Sequence, residues 1–268
     1  MSRIKEVFRR LKREGRCALI PYFMGFYPNS KVFESLLIAA QDSGADLVEV
    51  GIPFSDPIAD GPTIQEAGSV ALSQGATARK ILDFLRKMRS KLSLPVIVMT
   101  YTNLILQYGI DAFFRDCASA EVEGSILADL PVEESRVFKA AAGKNNVDVI
   151  QLAAPTSTRN RLMKIARESQ GFIYFVSVTG VTGARPNEKF ELKSYIERLR
   201  AVSDLPICVG FGIATPKQAA AMARIVDGVI IGSAIIGTIK RSKGDAANAA
   251  VYFLRRMRKA IDEVGERI

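Results

Sequence analysis

The chain contains no histidine. That absence removes the commonest general base and the commonest metal ligand, so acid–base chemistry falls to Asp, Glu, Lys, Tyr or Cys, and no metal is expected. Cysteine is scarce as well. Cys17, Cys117 and Cys208 are far apart and form no CxxC pair, which reads as small buried apolar side chains in a reducing compartment. No apolar run is long enough to cross a bilayer. The opening residues, MSRIKEVFRR, lack the apolar core and small-residue cleavage site of a secretory signal. A cytoplasmic location without a membrane partner is therefore expected.

Basic side chains are plentiful overall but missing from one region. The formal net charge is +9, yet no Lys or Arg lies between Val32 and Ala78. The bases gather in terminal segments such as Arg9-Arg10-Leu11-Lys12-Arg13 and Arg255-Arg256-Met257-Arg258-Lys259. There they accompany apolar positions at helical spacing, as solvated faces of amphipathic helices do. No nucleic-acid-binding module accompanies the charge, so no nucleic-acid partner is expected. The base-free region holds Glu49, Asp56 and Asp60, carboxylates without a sequence-local partner.

With 268 residues, the chain can form one large α/β barrel or two smaller domains. Short β-rich runs alternate with helical patterns. Eight candidate strands cover residues 18–23, 46–52, 95–101, 124–129, 148–153, 172–178, 206–211 and 228–232. Most are continuous apolar runs, as in a parallel sheet covered on both faces. Between them, sets such as Ile81, Leu82, Leu85 and Met88 recur at helical spacing. Thr158 and Thr215 fall at helix N-caps, and Pro216 fits a first helical position. Residues 2–13 form an extra amphipathic helix suited to capping the barrel bottom. Eight βα units without a linker predict a single TIM (β/α)8 barrel domain over 1–268. A doubly wound sheet is weaker, because Met24-Gly25-Phe26-Tyr27-Pro28 stands where its glycine-rich phosphate fingerprint should follow the first strand.

In a barrel of this kind the site lies at the C-terminal strand ends. Glycine-bearing loops follow the last three strands, Thr179–Arg185, Gly210–Ile213 and Gly232–Ala234. Each glycine alone fits a tight turn, but together they suit an anion held by backbone amides, with residues 233–236 as the short phosphate helix. Glu49 lies inside a strand. Facing the barrel interior it would be desolvated and tuned for proton transfer; facing the helices it would pair with a distant base. Asp60-Gly61 and Asp56-Pro57 are common turn pairs, yet the loop from Pro53 to Pro62 is long for a βα connection. Tyr101 and Tyr174 fit either a pocket wall or the core.

The stretch LVEVGIPFSDPIADGPTIQEA (47–67) resembles the signature of the tryptophan synthase alpha chain family. The resemblance continues through ALIPY (18–22), MTYTN (99–103), ADLPVEE (128–134), APTS (154–157), GFIY (171–174), VTGAR (181–185), VGFGI (209–213) and GVIIGSA (228–234). It implies a retro-aldol lyase that cleaves indole-3-glycerol phosphate to indole and glyceraldehyde 3-phosphate, with no cofactor on this chain. It also implies an α2β2 complex with a beta chain that carries pyridoxal phosphate and receives the indole. By motif, Glu49 would be the general acid/base, Asp60 would bind the indole N–H, and Tyr174 would sit at the glycerol-phosphate end. Gly183, Gly212, Gly232 and Ser233 would hold the phosphate. Tyr22, Met99, Tyr101 and Phe211 would line the indole pocket, with Thr182 in a loop that closes over it. Asp56, Pro57, Asn103 and Pro131 would face the beta chain. Met24-Gly25-Phe26 departs from the family's usual Thr-Ala-Gly and is expected to change packing near the indole pocket. Another sugar-phosphate barrel enzyme is disfavoured by the missing histidine and by the absence of a strand-end lysine for a Schiff base. A barrel acting mainly as an allosteric activator is disfavoured by the intact Glu49 and Asp60.

Overall fold

The computed structural model describes residues 2–176, 186–210, 212–242 and 244–264, with the side chains of 186–191 left aside. Its elements run α1 (Arg3–Arg13), β1 (Ala18–Met24), α2 (Ser30–Asp42), β2 (Val48–Gly51), α3 (Pro62–Ser73), α4 (Ala78–Met88), β3 (Val96–Thr100), α5 (Thr102–Tyr108), α6 (Ile110–Ser119) and β4 (Val122–Leu127). They continue with α7 (Ser135–Lys144), β5 (Asp148–Ala153), α8 (Arg159–Glu168), β6 (Ile173–Val176), α9 (Pro186–Arg200), β7 (Ile207–Gly210), α10 (Pro216–Ala223), β8 (Gly228–Ile231), α11 (Ser233–Arg241) and α12 (Ala246–Asp262). The strands pair in sequence order, and β1 pairs with β8 to close a parallel barrel. The expected (β/α)8 architecture is thus present, with strand ends moved by a residue or two. The ends of the sixth and seventh candidate strands (177–178 and 211) lie outside the described residues.

Alternation along each strand sorts the side chains. Ala18, Ile20, Leu47, Ile97, Ile126, Ile150, Phe172, Cys208 and Ile230 fill the interior, while Leu19, Val48, Val50, Val98, Val149, Phe175, Val209 and Val229 pack under the helices. Glu49 shares the interior parity of Leu47, which excludes the helix-facing alternative. α1 caps the N-terminal end. Its Ile4, Phe8 and Leu11 join the interior cluster, and Phe8 meets Phe172 with ring centroids 5.7 Å apart. A methyl group on Gly124 would lie 2.9 Å from Ile4 Cδ1, so that glycine makes room for the cap.

The helix starts follow the sequence cues. Thr158 caps α8 by accepting from Arg161 N–H, and Thr215 forms a reciprocal cap with Gln218 ahead of Pro216. One basic residue departs from expectation. Arg258 is only 7% exposed, not part of a solvated face. Its guanidinium reaches Asp46 at 3.0 Å, the Cys17 carbonyl at 3.0 Å, and Asp262. It bolts α12 to the barrel bottom through chain segments more than 200 residues apart.

Candidate active site

At the opposite, C-terminal end of the strands, one cavity is lined by Tyr22, Glu49, Asp60, Gly61, Ile64, Met99, Tyr174, Gly212, Ile213, Ile230, Gly232 and Ser233. Each polar member is placed by a strand or its following loop. β2 projects Glu49 inward one turn of the pleat below Gly51, beside Tyr22 on β1 through the Tyr22↔Glu49 register. Tyr174 points in from β6. A methyl on Gly51 would sit 2.0 Å from the Tyr22 hydroxyl, and one on Gly210 would sit 2.1 Å from the Tyr174 hydroxyl. Two glycines therefore give two phenols their positions.

Glu49 is 1% exposed, and neither of its carboxyl oxygens has a hydrogen-bond partner among the described residues. Burial first, and the nearby Asp60 charge second, push its pKa up from 4.5 to about 8. At neutral pH it is a neutral acid whose proton has no other taker. Asp60 is less deeply buried. Burial raises its pKa, and a hydrogen bond from Tyr101 opposes that shift. Two carboxyl groups in different surroundings thus face one cavity, the arrangement that separates an acid from an anion. Burial holds the Tyr22 and Tyr174 phenols well above their ordinary values, so both stay protonated as donors.

The cavity also suits an anion. α11 starts at Ser233, directly after Gly232, and is the short helix ahead of the long α12. Its N-cap Gly232 and first residue Ser233 line the cavity, and a helix N-terminus with unpaired amides favours negative charge. Gly212 adopts φ +75°, a left-handed conformation that opens the loop after β7 beside it. The cavity thus combines two carboxyl groups and a helix N-terminus with an apolar wall of Met99, Ile64, Ile213 and Ile230.

Of the residues singled out from sequence, Glu49, Asp60, Tyr174, Gly212, Gly232, Ser233, Tyr22 and Met99 all line this cavity. Tyr101 stands behind Asp60 rather than in the lining. Gly183, Thr182 and Phe211 lie outside the described residues. Asp56 and Pro131 are exposed on rim loops and Asn103 on the first turn of α5, and Pro57 is partly exposed. Gly61, Ile64, Ile213 and Ile230 were missed. Strand parity alone would have found Ile230, two residues before Gly232.

Met24-Gly25-Phe26 resolves into three separate jobs. Met24 Sδ lies 3.9 Å from the Tyr22 hydroxyl, and its methyl packs toward Gly68 of α3. Gly25 donates to the Gly51 carbonyl at 2.8 Å, and a methyl there would meet Ile81 Cδ1 at 2.6 Å. Phe26, at φ +64°, turns away from the cavity into an edge-on cluster with Phe33 and Phe84. Of the three, Met24 alone reaches a cavity-lining side chain, that of Tyr22.

Among the described residues no group of three or more His, Cys, Asp or Glu could hold a metal, and no helix is long and apolar enough to cross a membrane. The fold and cavity define a (β/α)8-barrel enzyme whose cavity at the C-terminal strand ends brings together two carboxyl groups and a helix N-terminus. Comparison with known proteins narrows the class. The family model of the tryptophan synthase alpha chain matches residues 8–263. The alpha chain of Geobacter sulfurreducens is 44% identical, covering 97% of this chain and 99% of its own length. That of Gluconacetobacter diazotrophicus is 42% identical, covering 100% and 98%. Among solved structures, the alpha subunit of Legionella pneumophila superposes with a TM-score of 0.92 at 37% identity, covering 98% of this chain and 99% of its own. A chain of Mycobacterium tuberculosis tryptophan synthase gives 0.89 at 37% identity, covering 100% and 99%. The chain belongs to the tryptophan synthase alpha chain family. Its reaction is the lyase step of tryptophan biosynthesis, cleavage of indole-3-glycerol phosphate to give indole for the beta chain.

Proposed function

We propose that Glu49 and Asp60 divide the acid and anion roles of this cleavage. The observation that carries the reading is the buried Glu49, without a hydrogen-bond partner among the described residues, sharing one cavity with Asp60. Glu49 gives its proton to the indole ring carbon that bears the glycerol chain. Asp60, ionised, accepts a hydrogen bond from the indole N–H and balances the positive charge that the ring acquires. The ring is then an electron sink. Glu49, now a carboxylate, takes the proton of the adjacent glycerol hydroxyl as the carbon–carbon bond breaks. Its electron pair returns to the ring, leaving indole and the aldehyde of glyceraldehyde 3-phosphate, with Glu49 protonated again.

In this reading the phosphate sits against the α11 N-terminus with Gly212, Gly232 and Ser233, and Gly183 completes its cradle. Tyr174 meets the glycerol-phosphate end. Tyr22, Met99 and Phe211 surround the indole, Tyr101 backs it through Asp60, and Thr182 belongs to a loop that closes over it. The whole chain acts as one catalytic domain in the cytoplasm. Its partner is the beta chain in an α2β2 assembly, with pyridoxal phosphate on the beta chain alone and indole passed internally. Asp56, Pro57, Asn103 and Pro131 meet that partner. The exposed Ile58, at 83%, supports a docking role for the same rim.

The test is indole release from indole-3-glycerol phosphate, with and without a beta chain. Wild type should turn over slowly alone and faster with the partner, with kcat/KM falling above about pH 8 as Glu49 loses its proton. Glu49→Gln should release no indole while still binding an indole-alkyl phosphate analogue. Normal turnover by that variant would rule out the assignment.

A further inference from the structure

Tyr101, which from sequence fits either a pocket wall or the core and by resemblance the indole pocket, is buried against the loop that carries Asp60. It directly follows β3 and precedes α5, with the interior parity of Ile97 and Met99. Its backbone is extended (φ −112°, ψ 147°) at the N-cap position of α5, yet its side chain caps no amide of that helix. Asp129, on the loop after β4, takes over that role, accepting from Thr102 N–H at 2.7 Å and Thr102 Oγ1–H at 2.8 Å. The phenol is left free to rise from the barrel rim into the loop between β2 and α3.

There it meets three residues of that loop. The ring stacks on Phe54 with centroids 5.2 Å apart and planes at 30°. The hydroxyl oxygen accepts from Ala59 N–H at 3.1 Å. A phenol has one donor and accepting lone pairs, so accepting from Ala59 leaves the hydroxyl hydrogen for the carboxylate of Asp60, the next residue, whose burial-raised pKa the phenol lowers. The residue is 4% exposed although Ala59 and its neighbour Ile58 are exposed. Gln65 Nε2 on α3 holds the Asp60 carbonyl at 2.9 Å from the other side.

We infer that Tyr101 is a positioning residue for the cleavage reaction: its hydroxyl clamps the β2–α3 loop and holds Asp60 as an oriented carboxylate facing the cavity. The inference rests on the proposed role of Asp60. The titratable groups around Asp60 are Glu49 on β2, Tyr22 on β1, Tyr174 on β6 and Tyr101 itself, with Asp129 acting on Tyr101 from the loop after β4. Against the two acids, the Tyr101 hydrogen bond favours ionised Asp60. An ionised Asp60 in turn helps to keep Glu49 protonated. One hydroxyl therefore keeps the acid and the anion apart.

The experiment is the pH profile of kcat/KM for indole release by the full chain with its beta chain, comparing wild type, Tyr101→Phe and Asp60→Asn. Phenylalanine keeps the stacking on Phe54 and the burial but loses the Ala59 hydrogen bond and the hydroxyl that stabilises ionised Asp60. Without the donor, Asp60 holds its proton to higher pH, so the acid limb of Tyr101→Phe should move to higher pH. At neutral pH kcat/KM should fall about tenfold, mainly in kcat. An acid limb unchanged from wild type, or a loss confined to KM or thermal stability, would reduce Tyr101 to a packing residue and overturn the inference. If Asp60→Asn turns over like wild type, the role of Asp60 fails, and the inference with it.

Discussion

Replacing Glu49 by glutamine should make the protein more stable as it removes activity, and the size of the gain should depend on pH. Glu49 is buried in the barrel with neither oxygen hydrogen-bonded among the described residues, and its pKa rises from 4.5 to about 8. In the unfolded chain the same group ionises near its ordinary value. Folding at neutral pH must therefore put a proton back. The folded state binds more protons than the unfolded state between pH 4.5 and about 8, so stability falls as pH rises through that window. Each pH unit costs about 1.4 kcal/mol, which gives roughly 3 kcal/mol at neutral pH and a plateau of roughly 5 kcal/mol beyond the folded pKa. Glutamine has nearly the same shape and is neutral in both states. It leaves a buried amide as poorly partnered as the acid was, so the desolvation of the neutral groups largely cancels in the comparison. Other carboxylates with raised pKa values, such as Asp46 and Asp148, are common to both proteins and drop out. Urea unfolding of wild type and Glu49→Gln, at about pH 5, 7 and 8.5 with m-values compared, measures the difference directly. The two midpoints should nearly coincide at the acid end and diverge steadily upward. Midpoints that run parallel across the range would show that folding takes up no proton at Glu49, and the account of it as a buried acid would be wrong.

Two further outcomes follow from contacts on opposite ends of the barrel. Gly51→Ala should destabilise by about 1–3 kcal/mol, because its methyl would fall 2.0 Å from the Tyr22 hydroxyl and 2.6 Å from Cζ; thermal unfolding should show partial rescue by Tyr22→Phe, which removes the hydroxyl but keeps the ring, and fuller rescue by Tyr22→Leu, which removes both. Arg258→Ala should cost about 3–5 kcal/mol, since it strands the buried Asp46 and unties α12 from β1; a change within a few tenths of wild type in urea would show that the ion pair contributes nothing net.

The barrel was legible in the chain because each of its determinants is local. Continuous apolar runs marked the strands, helical spacing marked the helices, and Thr158, Thr215 and Pro216 marked where two helices begin. The loop signature from Leu47 to Ala67 likewise named both carboxylates. What the chain could not say is where a side chain looks. A glutamate in an apolar run fits either face of a strand, and only closure of β1 on β8 turns one parity of every strand into an interior without water. That same closure strips Glu49 of partners and makes it an acid. Tyr101 shows the limit from the other side, because its partners Phe54, Ala59 and Asp60 lie more than 40 positions earlier, and nothing in the spacing announces them. Arg258 is the plainest case: its sequence neighbours describe a solvated helix face, while packing of α12 on the barrel bottom puts it beside Asp46. The sequence determined the elements, their order and the chemical groups available, since these depend on short-range pattern. Tertiary structure alone decided which groups are dehydrated, which are paired and which face one another, because those properties arise only when distant segments exclude water together.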